Sequence, residues 1–340
     1  MSGAIDLHCH LFPEAWWRLA RSEGARLGTS FYRRPDGREA VRAPGDFDYP
    51  LGEELWSVDA LAAGLPGRGL SGAALSVAPP TLSYWADPGL GAELAAAMND
   101  DLAAAVRRQP QRFVALATLP LQDMGRAVAE LARCLARSEF RGVMVGSNLG
   151  GRNLDDPYFL PLWEAADAAA TTVFVHPYQV LGSDRLQRYY LWNSIGMVTE
   201  TCLAIESLIF GGVYARFRRV RTYFAHGGGS FPWLRGRAEH AFRHVQHASF
   251  PVERPPSAFT DRVYVDNLCF LPSALTWLAA ELGSDHVAVG SDYPFDMGPV
   301  DPTEIVSQAA GLPASARADI LWRTAATLLR LRPGEGGLLP

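Results

Sequence analysis

The sequence predicts a single α/β domain in which eight parallel strands close into a (β/α)8 barrel, a TIM barrel with a loop insertion after its first strand. Eight short apolar, β-branched runs alternate with amphipathic helical patterns, as in a parallel sheet buried on both faces. The chain has 340 residues and 48% hydrophobic content, which suits one such barrel. A doubly wound open sheet is the alternative, but no GxGxxG motif follows a strand.

The elements follow one another regularly along the chain. The first strand begins near residue 4 and ends in two histidines, and a region rich in Arg, Gly, Pro and aromatic residues at 11–56 is predicted to be an insertion over the barrel mouth. Further strands are predicted at 72–78, 113–118, 142–145, 172–175, 220–224, 263–266 and 287–290. Helices are predicted at 90–108, 124–136, 159–169, 200–210, 232–247 and 272–282, with one or two more within 313–331. The domain is expected to span 1–332, with a flexible tail at 333–340.

Composition argues against several classes of protein. The net charge of -5 and the lack of a Lys/Arg-rich block give no reason to expect nucleic acid as a partner. The four cysteines form no CxxC pair, so neither a disulfide framework nor a thiolate zinc site is indicated. No apolar run is long enough to cross a bilayer, and no secretory signal fits before the first strand. We therefore expect a soluble, cytoplasmic protein.

Two histidines at the end of the first strand indicate a metal site. His8 and His10 are separated by one residue, and alternate residues of a strand point to the same side. Imidazole is the commonest protein ligand for a divalent metal. Alone, the pair is equally compatible with solvated or packing histidines.

Matching groups follow three later strands. His176 ends the fifth strand, His226 the sixth, and Asp292 the eighth, and a parallel barrel brings all strand ends to one face. Such nitrogen and oxygen donors describe a catalytic divalent metal site. Separately, each has a structural explanation: a core histidine, a cap on a glycine run, and a helix N-cap. Because three glycines follow His226, we predict that it stands beside the metal as a general acid/base.

Two other groups of titratable residues lie in the second half of the chain. His240, His244 and His247 share one face of a predicted helix but have no acidic partner at matching spacing, so they are expected to be solvated. Asp266, at the end of the seventh strand, is either a further active-site carboxylate or a turn cap acting through Asn267.

Taken together, the motifs resemble the amidohydrolase superfamily, in the branch of α-amino-β-carboxymuconate-ε-semialdehyde decarboxylase and γ-resorcylate decarboxylase. The segments that carry the resemblance are Asp6-Leu7-His8-Cys9-His10, His176-Pro177, Ala225-His226-Gly227-Gly228-Gly229-Ser230-Phe231-Pro232 and Gly290-Ser291-Asp292-Tyr293-Pro294-Phe295. The resemblance implies one divalent metal, zinc or sometimes manganese, held by His8, His10, His176 and Asp292, with His226 as the catalytic histidine.

The resemblance also implies how substrate is bound. Family dimers lend an arginine across their interface to the substrate carboxylate, and Arg237 matches it by register after the glycine run. A planar guanidinium suits that task. Trp192 lies in a segment similar to the family's aromatic loop, and Trp85 in another matching stretch. A second substrate arginine does not align clearly, which leaves Arg34, Arg38 and Arg42 as candidates.

The sequence thus predicts a metal-dependent non-oxidative decarboxylase of a small unsaturated or aromatic carboxylic acid, acting as a homodimer. Loss of CO2 from an sp² carbon leaves an unfavourable carbanion, so His226 or Asp292 is expected to handle the proton. One alternative is a hydrolase or hydratase that uses metal-activated water at the same site. Another is a non-catalytic metal-binding barrel.

Overall fold

A computed structural model describes residues 3–44, 47–245 and 249–331. Two features predicted from the sequence, His247 and the tail at 333–340, lie outside these residues.

Eight parallel strands form the nearly closed barrel that the sequence predicts. Their spatial order follows their order along the chain. The strands are β1 (Ala4–Leu11), β5 (Leu70–Val77), β6 (Phe113–Thr118), β7 (Phe140–Gly146), β10 (Thr172–His176), β11 (Arg221–Phe224), β12 (Val263–Asp266) and β13 (Val287–Ala288). The first and last strands close the circle where the Leu7 amide donates to the Val289 carbonyl at 2.8 Å and the His10 amide to the Tyr293 carbonyl at 2.8 Å.

Helices surround the barrel and connect its strands. The α-helices are α1 (Glu14–Ser22), α2 (Val58–Gly64), α3 (Pro88–Arg108), α4 (Met124–Leu135), α5 (Leu160–Ala169), α6 (Val198–Phe210), α7 (Val213–Arg216), α8 (Phe231–His244), α9 (Pro272–Leu282), α10 (Glu304–Gln308), α11 (Ala314–Ala318) and α12 (Thr324–Leu329). Wider π-helical turns occupy Trp192–Met197 and Asp319–Arg323. The helix predicted at 232–247 is too long, because Val245 leaves the helical conformation with φ -92° and ψ 88°.

The predicted insertion is more ordered than a loop. It contains α1 and a three-stranded antiparallel sheet of β2 (Ser30–Arg33), β3 (Glu39–Ala43) and β4 (Phe47–Pro50). Elsewhere in the chain, a small hairpin after β7 pairs β8 (Asn148–Leu149) with β9 (Arg152–Asn153). The Tyr49 ring of β4 lies 5.3 Å from the Phe295 ring, which is itself 5.5 Å from the His10 ring. The insertion therefore packs beside the barrel face on which His10 lies.

The core fills the barrel and the layer beneath its helices. All eight residues of β1 are buried, and large side chains such as Trp16, Trp163, Phe174 and Tyr223 are completely buried. Burying side chains of this size stabilises a fold by about 1.5–3 kcal/mol each, so the strand ends rest on a rigid base. Among the described residues, no helix has the length and apolar character needed to cross a membrane.

Candidate active site

The ends of four strands bring the predicted histidines and Asp292 together. Asp292 Oδ1 lies 3.2 Å from His8 Nε2 and 3.3 Å from His10 Nε2, and Asp292 Oδ2 lies 3.6 Å from His226 Nε2. Ligand atoms of His8, His176, His226 and Asp292 all lie within 4.8 Å of one another. The His10 ring adjoins this group, 5.2 Å from the His176 ring.

Three of these histidines have one ring nitrogen fixed by an oxygen. His8 Nδ1 lies 2.8 Å from Asp266 Oδ2, His10 Nδ1 3.2 Å from the Val77 carbonyl, and His176 Nδ1 2.9 Å from the Pro177 carbonyl. A carbonyl or ionised carboxylate only accepts, so Nδ1 carries a hydrogen, and in the neutral ring Nε2 has the lone pair that can bind an ion. Outer hydrogen bonds of this kind orient histidine ligands in metal sites.

The Nε2 atoms of these histidines face one another. His8 Nε2 and His10 Nε2 are 3.0 Å apart, a separation at which two lone pairs repel unless they share a cation or proton. His176 Nε2 and Asp292 Oδ1 are buried and have no hydrogen-bond partner among the described residues. Three imidazole nitrogens and a carboxylate are typical donors for zinc and manganese, so the residues present fit a divalent ion.

Asp266 resolves the question that the sequence left open. Its carboxylate accepts from His8 Nδ1 and from the backbone amides of His226 at 2.7 Å, Gly227 at 2.6 Å and Leu268 at 3.0 Å. It therefore faces the back of His8 and the turn that begins at His226. Asn267 serves elsewhere, since its amide group donates to the Pro302 carbonyl at 2.8 Å.

Buried charges give the site a negative field. Burial alone would lower the pKa of His8, but the charge of Asp292 and a hydrogen bond to Asp266 raise it to about 10. Burial would raise the pKa of Asp292, but the neighbouring histidines hold it well below its usual range. Burial lowers the pKa of His10, and that of His176 more strongly. Hydrogen bonds and charges from His8 also lower the pKa of Asp266, although burial alone would raise it. Two ionised carboxylates beside the neutral rings of His10 and His176 attract a cation, and a divalent ion bound to His8 Nε2 would take the place of the proton that His8 otherwise holds.

The backbone is strained at two of the five side chains. His226 has φ 58° and Asp292 has φ 53°, a conformation that costs a non-glycine residue free energy and often marks functional sites. The glycines after His226 permit the tight turn, because a Cβ on Gly229 would come within 2.0 Å of the Val198 carbonyl oxygen. His226 Nδ1 has no hydrogen-bond partner among the described residues.

A cavity of about 480 Å³ opens beside His226 and Asp292. Its wall is mainly apolar and comes from the π-helical turn, α8, α9 and the segment after β12. The residues lining it, besides His226 and Asp292, are Asn193, Ser194, Met197, Val198, Gly227, Gly229, Ser230, Pro232, Trp233, Leu268, Cys269, Phe270, Ala274, Trp277, Leu278 and Met297. Such a concave apolar space with a few polar groups is typical of a small-molecule site.

The predicted substrate-binding residues lie outside this wall. Arg237 is exposed on α8, six residues after Phe231. Trp192 begins the π-helical turn and packs against Tyr190, next to lining residue Asn193. Trp85 donates from Nε1 to the Leu27 carbonyl at 3.0 Å and stacks on Tyr178.

The candidate arginines of the insertion are held by acidic neighbours. Arg34 and Arg42 each approach Asp48 at 2.8 Å, and Arg38 approaches Asp36 at 2.7 Å. These contacts stabilise the small sheet rather than the cavity.

The aromatic part of the wall was not predicted from the sequence. Trp233 and Trp277 face the cavity from α8 and α9, and their rings lie 5.8 Å apart. Helical periodicity identifies the buried face of a helix but not which residue near its end reaches a cavity. No sequence signal therefore distinguishes Trp233 and Trp277 from surface residues.

Comparison with known proteins agrees with this architecture. The amidohydrolase family matches residues 5–331. The chain is 34% identical over 333 residues to the 2-amino-3-carboxymuconate-6-semialdehyde decarboxylase of Dictyostelium discoideum, covering 97% of this chain and 92% of that protein. Its fold is similar to that of apo IDCase from Metarhizium anisopliae, with a TM-score of 0.84, 24% identity and coverage of 96% and 97%.

Another structure of similar fold is a dihydroxybenzoic acid decarboxylase from a Polaromonas species, solved with manganese and the inhibitor 2-nitroresorcinol. Its TM-score is 0.81 at 24% identity, with 97% of this chain and 98% of that chain covered. The chain therefore belongs to the amidohydrolase family. Within this family it lies in the branch of these decarboxylases.

Proposed function

We propose that this chain is a metal-dependent, non-oxidative decarboxylase of a small unsaturated or aromatic carboxylic acid. The observation that carries the proposal is the set of buried Nε2 atoms of His8, His10 and His176, oriented by outer hydrogen bonds toward Asp292 at the edge of an apolar cavity. The decarboxylase relative at 34% identity supports this reaction over hydrolysis or hydration.

His8, His10, His176 and Asp292 are the proposed metal ligands. The anchored Nδ1 atoms of the three histidines support this choice, because they fix each Nε2 in place. A bound divalent ion would supply Lewis-acid binding of the substrate carboxylate and a neighbouring oxygen. We propose zinc as that ion, with manganese as the alternative, since a neighbour of similar fold holds manganese.

His226 is the proposed general acid/base. It lines the cavity, its Nε2 is 3.6 Å from Asp292 Oδ2, and its Nδ1 is not held by a described residue. A ring that is not anchored is suited to moving a proton rather than to holding an ion. Adding a proton to the carbon that bears the carboxylate lets the carbon–carbon bond electrons return to the substrate as CO2 leaves.

The apolar wall has a part in this chemistry. Its aromatic and aliphatic side chains offer apolar contacts to the ring of a substrate whose reacting end lies near His226 and Asp292. Because Asp292 and the three histidine ligands are buried, the charges that act on the carboxylate are less screened there than in water. Trp192 and Trp85 remain predicted substrate contacts, and neither of them lines the cavity in this structure.

A homodimer is part of the proposal, because Arg237 is exposed on α8 and available to a second copy of the chain. A cytoplasmic location is also proposed, supported by four cysteines that are all free.

The test measures CO2 release from the purified protein with a panel of amino-muconate semialdehydes and hydroxybenzoates. The metal-loaded protein should be active, a chelator should abolish activity, and added zinc or manganese should restore it. His226→Asn should lower kcat by at least about 100-fold while leaving the metal content unchanged. The control His240→Asn, on the exposed face of α8, should behave as wild type. No CO2 release from any member of the panel would overturn the proposal.

A further inference from the structure

One wall of the cavity is built from an unusual turn. Tyr189 and Tyr190 both have φ 60°, and the residues that follow form the π-helical turn Trp192–Met197. Turns of this kind are rare and are frequently found at functional sites. Here the turn directs Asn193 and Ser194 to the cavity.

Asn193 carries a hydrogen-bonding side chain in a mainly apolar wall. Its backbone amide donates to the Tyr190 carbonyl at 3.2 Å, but its side-chain amide has no hydrogen-bond partner among the described residues. The neighbouring hydroxyl of Ser194 is already used, since it donates to the Tyr190 carbonyl at 3.2 Å. The Ser230 hydroxyl interacts with the Cys202 thiol.

The charge of the wall limits what Asn193 can recognise. No lysine or arginine of this chain lines the cavity within the part that the structure describes, so a cation for a second substrate carboxylate would have to come from Arg237 of the second copy. A carboxamide offers both a donor and an acceptor. It therefore complements a hydroxyl or a carbonyl, which are neutral and of similar size.

We propose that Asn193 is a specificity-determining residue whose carboxamide binds a hydroxyl or carbonyl substituent on the ring of the substrate. The inference rests on the proposed function, which fixes where the ring of the substrate lies, and it adds the substituent that the site recognises. The substrate then places its apolar ring against Trp233 and Trp277 and a neutral polar substituent toward the π-helical turn.

The experiment compares wild type with Asn193→Leu, which keeps the approximate shape of the side chain and removes its hydrogen bonds. Asn153→Leu is the matched control, because Asn153 is also partly buried but lies in β9, outside the cavity wall. The probes are benzoate, its three monohydroxy derivatives and 2,6-dihydroxybenzoate. Binding to the metal-loaded protein is followed by tryptophan fluorescence, since two tryptophans line the cavity.

Wild type and Asn153→Leu should bind at least one hydroxylated probe about 5-fold more tightly than benzoate, the effect of one net hydrogen bond. Asn193→Leu should lose that preference while its affinity for benzoate stays the same. If the preference persists in Asn193→Leu, or if wild type shows none or binds no probe, the inference is wrong. Because binding needs no turnover, selective binding without CO2 release would contradict the proposed function alone.

Discussion

At the residue scale, the site depends on two carboxylates, Asp266 and Asp292, which have different roles although each lies at or just after the end of a strand. Asp292 faces the histidine Nε2 atoms, whereas Asp266 faces a histidine Nδ1 and three backbone amides. The first position suits an ion ligand and the second suits a group that orients ligands. Asp266 also joins two parts of the site, His8 and the turn at His226.

We predict that Asp266→Asn weakens metal binding. A carboxamide that turns its oxygen toward the backbone amides presents hydrogens to His8 Nδ1, so the His8 ring loses its acceptor. Loss of such an outer contact typically lowers metal affinity about 10- to 100-fold. Titration against a competing chelator measures the effect, and Asp261→Asn, at an exposed position, is the control. Metal affinity equal to that of wild type in a folded Asp266→Asn protein would count against this role.

The sequence identifies Asp266 and Asp292 as candidate site residues but does not show which atoms each carboxylate contacts. Both Asp266 and Asp292 follow apolar runs, and a strand pattern gives the side of the barrel but not the atom that each oxygen meets. The five predicted side chains converge because parallel strands end together. Asn193 could not be found in this way, because its position depends on a π-helical turn that residue propensities do not predict.

At the element scale, connections between helices and loops hold the barrel around the site. Glu130 of α4 accepts hydrogen bonds from Asn99 of α3 at 2.6 Å and from Arg133 Nε at 2.8 Å. Burial alone would raise the pKa of Glu130, but Arg133 and Asn99 more than offset this and lower it. The ionised Glu130 therefore stabilises the packing of α3 against α4.

This packing predicts a pH-dependent loss of stability. Since the pKa of Glu130 is lower in the folded chain than in the unfolded one, its contribution is present above about pH 4.3 and disappears as the pH falls through the folded pKa. At pH 7, Glu130→Gln should reduce the free energy of unfolding by about 1–2 kcal/mol. Denaturant unfolding at several pH values measures the difference, which should shrink below pH 4. Glu164→Gln, exposed on α5, should have no effect, and a pH-independent deficit in Glu130→Gln would contradict the explanation.

A second contact holds the segment that carries the cavity wall. The Tyr190 hydroxyl donates to Asp296 Oδ1 at 3.0 Å, which joins the segment after β10 to the segment after β13 across the barrel face. Tyr189, its neighbour, is 78% exposed. Tyr190, whose hydroxyl contacts Asp296, and the exposed Tyr189 therefore form a matched pair for measuring the strength of this contact.

Tyr190→Phe is predicted to loosen the segment at 187–197. Removing one hydrogen bond to a carboxylate costs about 1 kcal/mol, which corresponds to roughly 5-fold faster amide hydrogen exchange if the segment opens locally. Tyr189→Phe should exchange at the wild-type rate. Equal exchange in both variants would show that the contact with Asp296 does not restrain the segment.

The elements differ in how well the sequence predicts them. The barrel strands are evident because continuous burial selects β-branched and apolar residues. Strands β2, β3 and β4 were missed, because they are short and mix buried apolar residues such as Val41 with charged residues that form ion pairs such as Arg42 with Asp48. Their arginines were candidates for the second substrate arginine that the family resemblance implies, and the structure pairs them with Asp48 and Asp36 instead.

At the scale of the whole molecule, function follows from closure of the barrel. Residues 8, 176, 226 and 292 are far apart in sequence, and they meet because eight parallel strands deliver their carboxyl ends to one face. The last strand is fixed to the first by the backbone at His8, whose carbonyl accepts from the Asp292 amide at 2.9 Å. The family match over residues 5–331 covers this entire arrangement.

Anomalous diffraction from crystals of the manganese-loaded protein tests the central claim most directly. One ion per chain is expected at the barrel face, bound by Nε2 of His8, His10 and His176 and by Asp292, with His226 beside it. Crystals of the His176→Ala variant, loaded with manganese in the same way, should show a much weaker anomalous peak at this position. An ion bound elsewhere, or none at this face in the wild-type protein, would contradict the claim that these four side chains form a metal centre.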